Sequence, residues 1–135
     1  VAESTDDVWN RQISINLTTA YLTSRAFIPA LRERRGSIVF FAARAALPGG
    51  SVAKLSAYAA AKSGVVALMR AIAAEERPNG VRANAVAPSS IRTASNVQAM
   101  GDAVQYVERQ QVADAVLFLC SEQASAITGT VMPLG

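Results

Sequence analysis

Two stretches decide the fold: Gly36-Ser37-Ile38-Val39-Phe40-Phe41 and Val81-Arg82-Ala83-Asn84-Ala85-Val86-Ala87-Pro88. The first is a short continuous apolar run behind a glycine, which suits a strand covered on both faces, as in a parallel sheet. The second reads as a strand that Pro88 ends. Thr130-Val131-Met132-Pro133-Leu134 reads as a third, short strand.

Between and before these strands the apolar spacing is helical. Ser4-Thr5-Asp6-Asp7 reads as a helix start with Ser4 at the cap, and Ile13, Leu17, Tyr21, Ser24, Ile28 and Leu31 recur on one face. That predicts a long helix to about Arg34, where Gly36 supplies the stop. Residues 42–55 form a loop punctuated by Pro48-Gly49-Gly50. A second long helix runs from Ser56, through Tyr58, Lys62, Val65, Val66, Met69 and Ile72, until Pro78-Asn79-Gly80 breaks it. Residues 89–108 read as a loop with a short helix, and Gln111 to Ser121 as a last helix. The order αβαβαβ, without repeat or linker, predicts one domain with a parallel sheet and helices on its faces.

Composition excludes several classes. The 135 residues are 51% apolar and 17% charged, too apolar for disorder and enough to build one core. The net charge is +3, and the 11 arginines among the 13 basic residues are scattered, which is no nucleic-acid footprint. In the densest run, Arg32-Glu33-Arg34-Arg35, the cations suit a helix C-terminus. The single cysteine, Cys120, excludes an internal disulfide, and its apolar neighbours predict a buried thiol. With no histidine, Ser-His-Asp chemistry and most zinc sites are removed. No apolar run approaches the length of a membrane span, so the expected location is cytoplasmic, with no membrane partner. A first residue of Val rather than Met is read as a sign of missing upstream sequence.

Tyr58 and Lys62 stand four residues apart at the start of a helix, so they rise from one face. A phenol is a poor proton carrier at neutral pH, and a nearby ammonium lowers its pKa by favouring the phenolate. By spacing alone, such a pair is usually an exposed surface pair.

The surrounding residues add to that reading. Tyr58-Ala59-Ala60-Ala61-Lys62-Ser63-Gly64, preceded by the Gly36 strand and followed by Val81 to Pro88, resembles the short-chain dehydrogenase/reductase family over nearly the whole chain. Val112 to Leu119 and Ile127 to Val131 look like its last helix and strand. The resemblance implies a partial Rossmann-like, doubly wound α/β fold, the last three strands of the family's seven. It also implies hydride transfer between NAD or NADP and a carbonyl or alcohol. Tyr58 would exchange the substrate proton. Lys62 would bind the nicotinamide ribose and depress the Tyr58 pKa, and Asn16 would hold a water against Lys62. Tyr58, Lys62, Pro88, Ile91 and Thr93 would meet the cofactor.

Departures from the family pattern limit these expectations. Aligning strand starts places Ala43 where the family has its catalytic serine, and a methyl group cannot hold a substrate oxygen. Ser51 and Ser56 lie on the same loop, but each reads more simply as a turn or capping residue. Ser89 follows Pro88 where the family has glycine. No Gly-x-x-x-Gly-x-Gly occurs, and Gly49-Gly50 lacks the strand and helix start that a phosphate loop needs.

The expectation is therefore a single truncated domain without the dinucleotide-binding half, inactive alone, with a separate N-terminal half as one partner. The alternative is a non-catalytic oligomeric assembly module. In either case, the edge left beside residues 38–41 and the two long helices predict a homodimer or higher oligomer.

Overall fold

The computed structural model describes residues 1–135. Three parallel strands, β1 (Ser37–Phe41), β2 (Arg82–Pro88) and β3 (Val131–Leu134), lie in the order β1-β2-β3, with Ser37 opposite Arg82 and Ala85 opposite Val131. The expected parallel α/β sheet is present. The first helix is a rod in three parts: α1 (Asp6–Ile13), a π turn (Ser14–Thr18) and α2 (Thr19–Arg34). α3 (Ser56–Glu75) connects β1 to β2; α4 (Ala94–Met100) and α5 (Arg109–Cys120) connect β2 to β3.

The rod and α3 cover one face and α5 the other, so β2 is the centre of the molecule. Its residues from Ala83 to Ala87 are buried, and small alanines at 83, 85 and 87 let Val65, Met69 and Ile72 of α3 press onto the sheet. Gly64 admits the rod in the same way: a Cβ there would lie 2.8 Å from Leu17 Cδ2 in the π turn.

Four expectations are corrected. Thr5, not Ser4, caps α1, accepting from the Val8 amide at 3.3 Å. Leu55, rather than Ser56, stands at the cap of α3 and contributes no side-chain bond. Arg35, not Gly36, takes the left-handed position that ends α2, with φ 49°, while the Gly36 amide donates back to the Leu31 carbonyl. Cys120 is exposed. The apolar run Val116 to Cys120 encircles α5, so only Leu119 within it is buried while Leu117 and Cys120 face outward.

An ion pair ties the ends of α2 and α3. Arg32 donates through Nε and Nη2 to the two carboxylate oxygens of Glu76, at 2.8 and 2.6 Å, and Asn79 Nδ2 adds a third bond at 2.9 Å. The Glu76 side chain is sheltered and that of Arg32 half-exposed. These bonds from Arg32, outweighing burial, hold the Glu76 carboxyl below its ordinary range. A depressed carboxylate contributes stability that is present above its unfolded pKa and lost as pH falls through the folded one. Arg32→Ala should therefore lower the melting temperature at pH 7 by about 5 °C. The gap should narrow as pH falls below the ordinary carboxylate range and Glu76 becomes protonated. Thermal melts across that range check it; a gap independent of pH would assign the loss to packing of the arginine stem.

Candidate active site

Parallel strands bring their carboxyl ends to one edge, and the loops that leave this edge form the natural ligand crevice of an open α/β sheet. Here those loops are residues 42–55 and 89–93. Lys62, on the second turn of α3, reaches the edge: its Nζ donates to the carbonyl of Phe41, the last residue of β1, at 2.8 Å. Tyr58 lies one turn earlier, and the ammonium stands 6.0 Å from its ring centroid, at the outer limit of a cation–π contact.

Both groups are half-buried, and desolvation dominates both. Burial pushes the Tyr58 phenol up and the Lys62 ammonium down. The Tyr58 phenol is thus shifted up by burial, opposite to the lowering expected from Lys62, whose ammonium donates to the Phe41 carbonyl. Lys62 has three donors and this bond occupies one, so two remain for a ligand.

Asn16 lies in the π turn and shares with Lys62 a cleft of about 310 Å³ between the rod and the outer edge of β1. Its Nδ2 donates to the carbonyl and to the side-chain oxygen of Gln12, at 3.1 and 2.9 Å. The sequence carried no sign of Gln12 as its partner. A π turn widens the helix locally and recurs at functional sites; here it meets α3, as α1 does.

Ala43 is buried just beyond β1, in extended backbone that leads into a turn over Arg44–Ala46. No hydroxyl stands there. On the second loop, Pro88 is buried as the last residue of β2, and the Ser89 amide still bonds to the Leu134 carbonyl at 2.9 Å. Ile91 and Thr93 follow, and one residue missed in the sequence fixes both. Asn96 donates through Nδ2 to the Ile91 carbonyl at 2.8 Å, and through its amide to Thr93 Oγ1 at 3.1 Å. Thr93 at a helix start, three residues before Asn96, is a capping pattern that could have revealed the second of these bonds. Tyr58, Lys62 and Asn16 are therefore gathered near the β1 end of the edge, and Ile91 and Thr93 stand on the β2 loop.

Comparison with known proteins identifies the family. The enoyl-(acyl carrier protein) reductase family model matches residues 1–134. The chain belongs to the short-chain dehydrogenase/reductase family. Among curated members of the short-chain dehydrogenases/reductases and related proteins, it is 33% identical, over 96% of its length, to 2-keto-3-deoxy-L-fuconate dehydrogenase of Xanthomonas campestris pv. campestris, of which it covers 49%. It is 36% identical, over 90% of its length, to 2-(S)-hydroxypropyl-CoM dehydrogenase 3 of Xanthobacter autotrophicus, of which it covers 53%. The chain spans about half the length of these curated relatives. A 3-oxoacyl-(acyl-carrier protein) reductase from Brucella melitensis, solved with bound NAD, superposes with a TM-score of 0.82 at 33% identity, over 98% of this chain and 52% of that one. An oxidoreductase from Burkholderia thailandensis gives 0.88 at 28%, over 99% and 57%.

Proposed function

We propose that these residues form the substrate and nicotinamide side of an oxidoreductase that moves a hydride between NAD or NADP and a carbonyl or alcohol. The observation that carries this reading is the Tyr58 and Lys62 pair, half-buried at the carboxyl edge of the sheet, with Asn16 on the facing rod. The residues fit the nicotinamide side of such a cofactor: Lys62 keeps two free donors where ribose hydroxyls would bind, and Ile91 and Thr93 would face the ring amide. A bound nicotinamide supplies the hydride donor or acceptor.

Tyr58 Oη exchanges the proton of the substrate oxygen, and burial keeps it protonated, as a donor to a carbonyl requires. Lys62 would hold the ribose of a bound cofactor and, once turned towards the phenol, would ease proton loss from it. Asn16 orients a water to Lys62. Ala43 contributes no hydrogen bond to the substrate oxygen, so polarisation rests on Tyr58 alone.

Residues 1–135 hold no glycine-rich phosphate loop, and the pyrophosphate needs a helix N-terminus with close backbone approach. The chain by itself is therefore expected not to bind NADH or NADPH measurably. Calorimetric titration with both cofactors tests this, and a low-micromolar dissociation constant would overturn it.

The second reading, a non-catalytic assembly module, is favoured by Ala43 and by apolar surface. Trp9, Tyr21, Leu22 and Phe27 are exposed on the rod, and Phe41 is 48% exposed on the open edge of β1. Either reading includes a homodimer or higher oligomer, through that edge or through the rod and α3 packing as a four-helix bundle. Light scattering after size exclusion should show no monomer at micromolar concentration; a monodisperse monomer with a sharp melt would refute association.

A further inference from the structure

The arginine run that closes α2 splits in the folded chain. Arg32 turns to Glu76, whereas Arg34 and Arg35 line a second cleft, of about 620 Å³, at the amino ends of the strands. That is the opposite edge of the sheet from Tyr58. Arg77 and Arg82 complete it, and its lining includes a single acidic residue, Glu122. The lining thus carries a formal excess equal to the +3 of the whole chain.

No carboxylate neutralises these four arginines: the ion pairs of the chain are those of Arg32 with Glu76 and of Arg92 with Asp102 and Glu108. Arg82 is anchored, its Nη1 donating to the Leu119 carbonyl at 2.7 Å and its Nη2 to that of Ser121 at 3.1 Å. With a third, from Nη1 to the Ile127 carbonyl at 3.4 Å, those bonds satisfy acceptors at the end of α5 and before β3 but leave the charge of Arg82 uncompensated. Arg35 is also held. Its backbone is left-handed, and its stem lies over Gly80, where a Cβ would stand 3.2 Å from Arg35 Cγ and Cδ. Arg34 and Arg77 are exposed and donate no side-chain bond within the protein. Thr128 lines the same cleft, and its hydroxyl accepts from the Ala83 amide at 3.2 Å, which leaves its own proton to donate.

Capping of helix ends explains Arg82 but not the whole group. The carboxyl ends of α2, α3 and α5 contribute only partial negative charge, about half a unit each, which one or two cations would offset. Four guanidinium groups around one polar cleft, that of Arg82 anchored and those of Arg34 and Arg77 free to turn, suit an extended anion with several tetrahedral oxyanion groups, each contacted by paired N–H donors. A singly charged ion engages too few of them to compete with water.

We propose that this cleft binds a small polyphosphate, a chain of two or three phosphoryl groups, free or carried by a nucleotide. The site is independent of the nicotinamide reading, because it shares no residue with it.

Calorimetric titration of the chain with tripolyphosphate, orthophosphate and ATP tests the proposal. We expect one site, with tripolyphosphate at least about tenfold tighter than orthophosphate. The double substitution Arg34→Gln, Arg77→Gln should weaken it at least about tenfold, whereas Arg11→Gln with Lys54→Gln, removing the same charge elsewhere, should change it less than about threefold. ATP matching tripolyphosphate would assign recognition to the phosphate chain; ATP failing to bind would restrict the ligand to the inorganic form. Gly80→Val, which displaces the Arg35 stem, should also weaken binding while circular dichroism shows the fold retained. Equal weakening by both double variants would reduce the effect to diffuse charge and overturn the site, as would no saturable binding at millimolar tripolyphosphate.

Discussion

Tyr58→Phe should lower kcat by about 100- to 10,000-fold once residues 1–135 are joined to the dinucleotide-binding half of a relative, with nicotinamide affinity changed less than about threefold. The size follows from what is removed. The ring keeps its packing at the start of α3, while the oxygen that exchanges the substrate proton is lost. Ala43 makes the background slow, so the comparison belongs on a chimera that also carries Ala43→Ser. That change should itself raise kcat about 100-fold, by restoring one donor to the substrate oxygen. Steady-state kinetics on simple ketones with NADH and NADPH supply the numbers. If Tyr58→Phe leaves kcat intact, proton transfer does not pass through this residue. A chimera that binds NADH but stays inert with Ala43→Ser present would favour the assembly reading.

Asn84→Ala should be among the most destabilising substitutions in the chain, costing about 3 kcal/mol and about 10 °C in Tm. Asn84 sits in the centre of β2 with no solvent exposure. Its Nδ2 donates to the Ile127 carbonyl at 2.9 Å, and its Oδ1 accepts from the Thr130 amide at 3.1 Å. One side chain thus satisfies both sides of the turn that delivers β3 to the sheet. Alanine leaves the Thr130 amide and the Ile127 carbonyl without this partner in a part-buried turn, and a void at the fully buried position 84. Asn79, exposed and bonded to Glu76, is the natural control, and its replacement by alanine should cost about 1 kcal/mol. Equal losses at the two positions, measured by urea unfolding, would show that the Asn84 bonds are replaced by water.

Much of the architecture was written in local pattern. Gly36 to Phe41 and Val81 to Pro88 form strands because each is a short apolar run closed by turn residues, and the helical spacing from Ser56 onwards has no competing period. Tyr58 and Lys62 were found together because four residues of helix place side chains on one face. Other features depended on distant partners. Arg32 reaches Glu76 across 44 residues, a pairing no local window contains. Arg35 is left-handed because the chain must turn back towards β1 before Gly36, and a run of charged residues carries no signal of that. Cys120 was misjudged for a related reason. An apolar run on a helix that touches the sheet along one line is only partly buried, and which line it touches is settled by packing. The raised pKa of Tyr58 likewise follows from burial of the phenol, which spacing cannot specify.

The π turn at Ser14–Thr18 carries a consequence for reading this chain against others of different length. A helix that accommodates one residue too many per turn changes phase: everything on one side is rotated by about 100° relative to the other. α1 and α2 are therefore two amphipathic faces spliced out of register, and a helical wheel drawn through both superimposes residues that look in different directions. Removing a single residue between Ser14 and Thr18 would restore an uninterrupted α-helix and swing α1 off the side of α3 that it now touches. At this point in the rod, chain length acts as an angular coordinate.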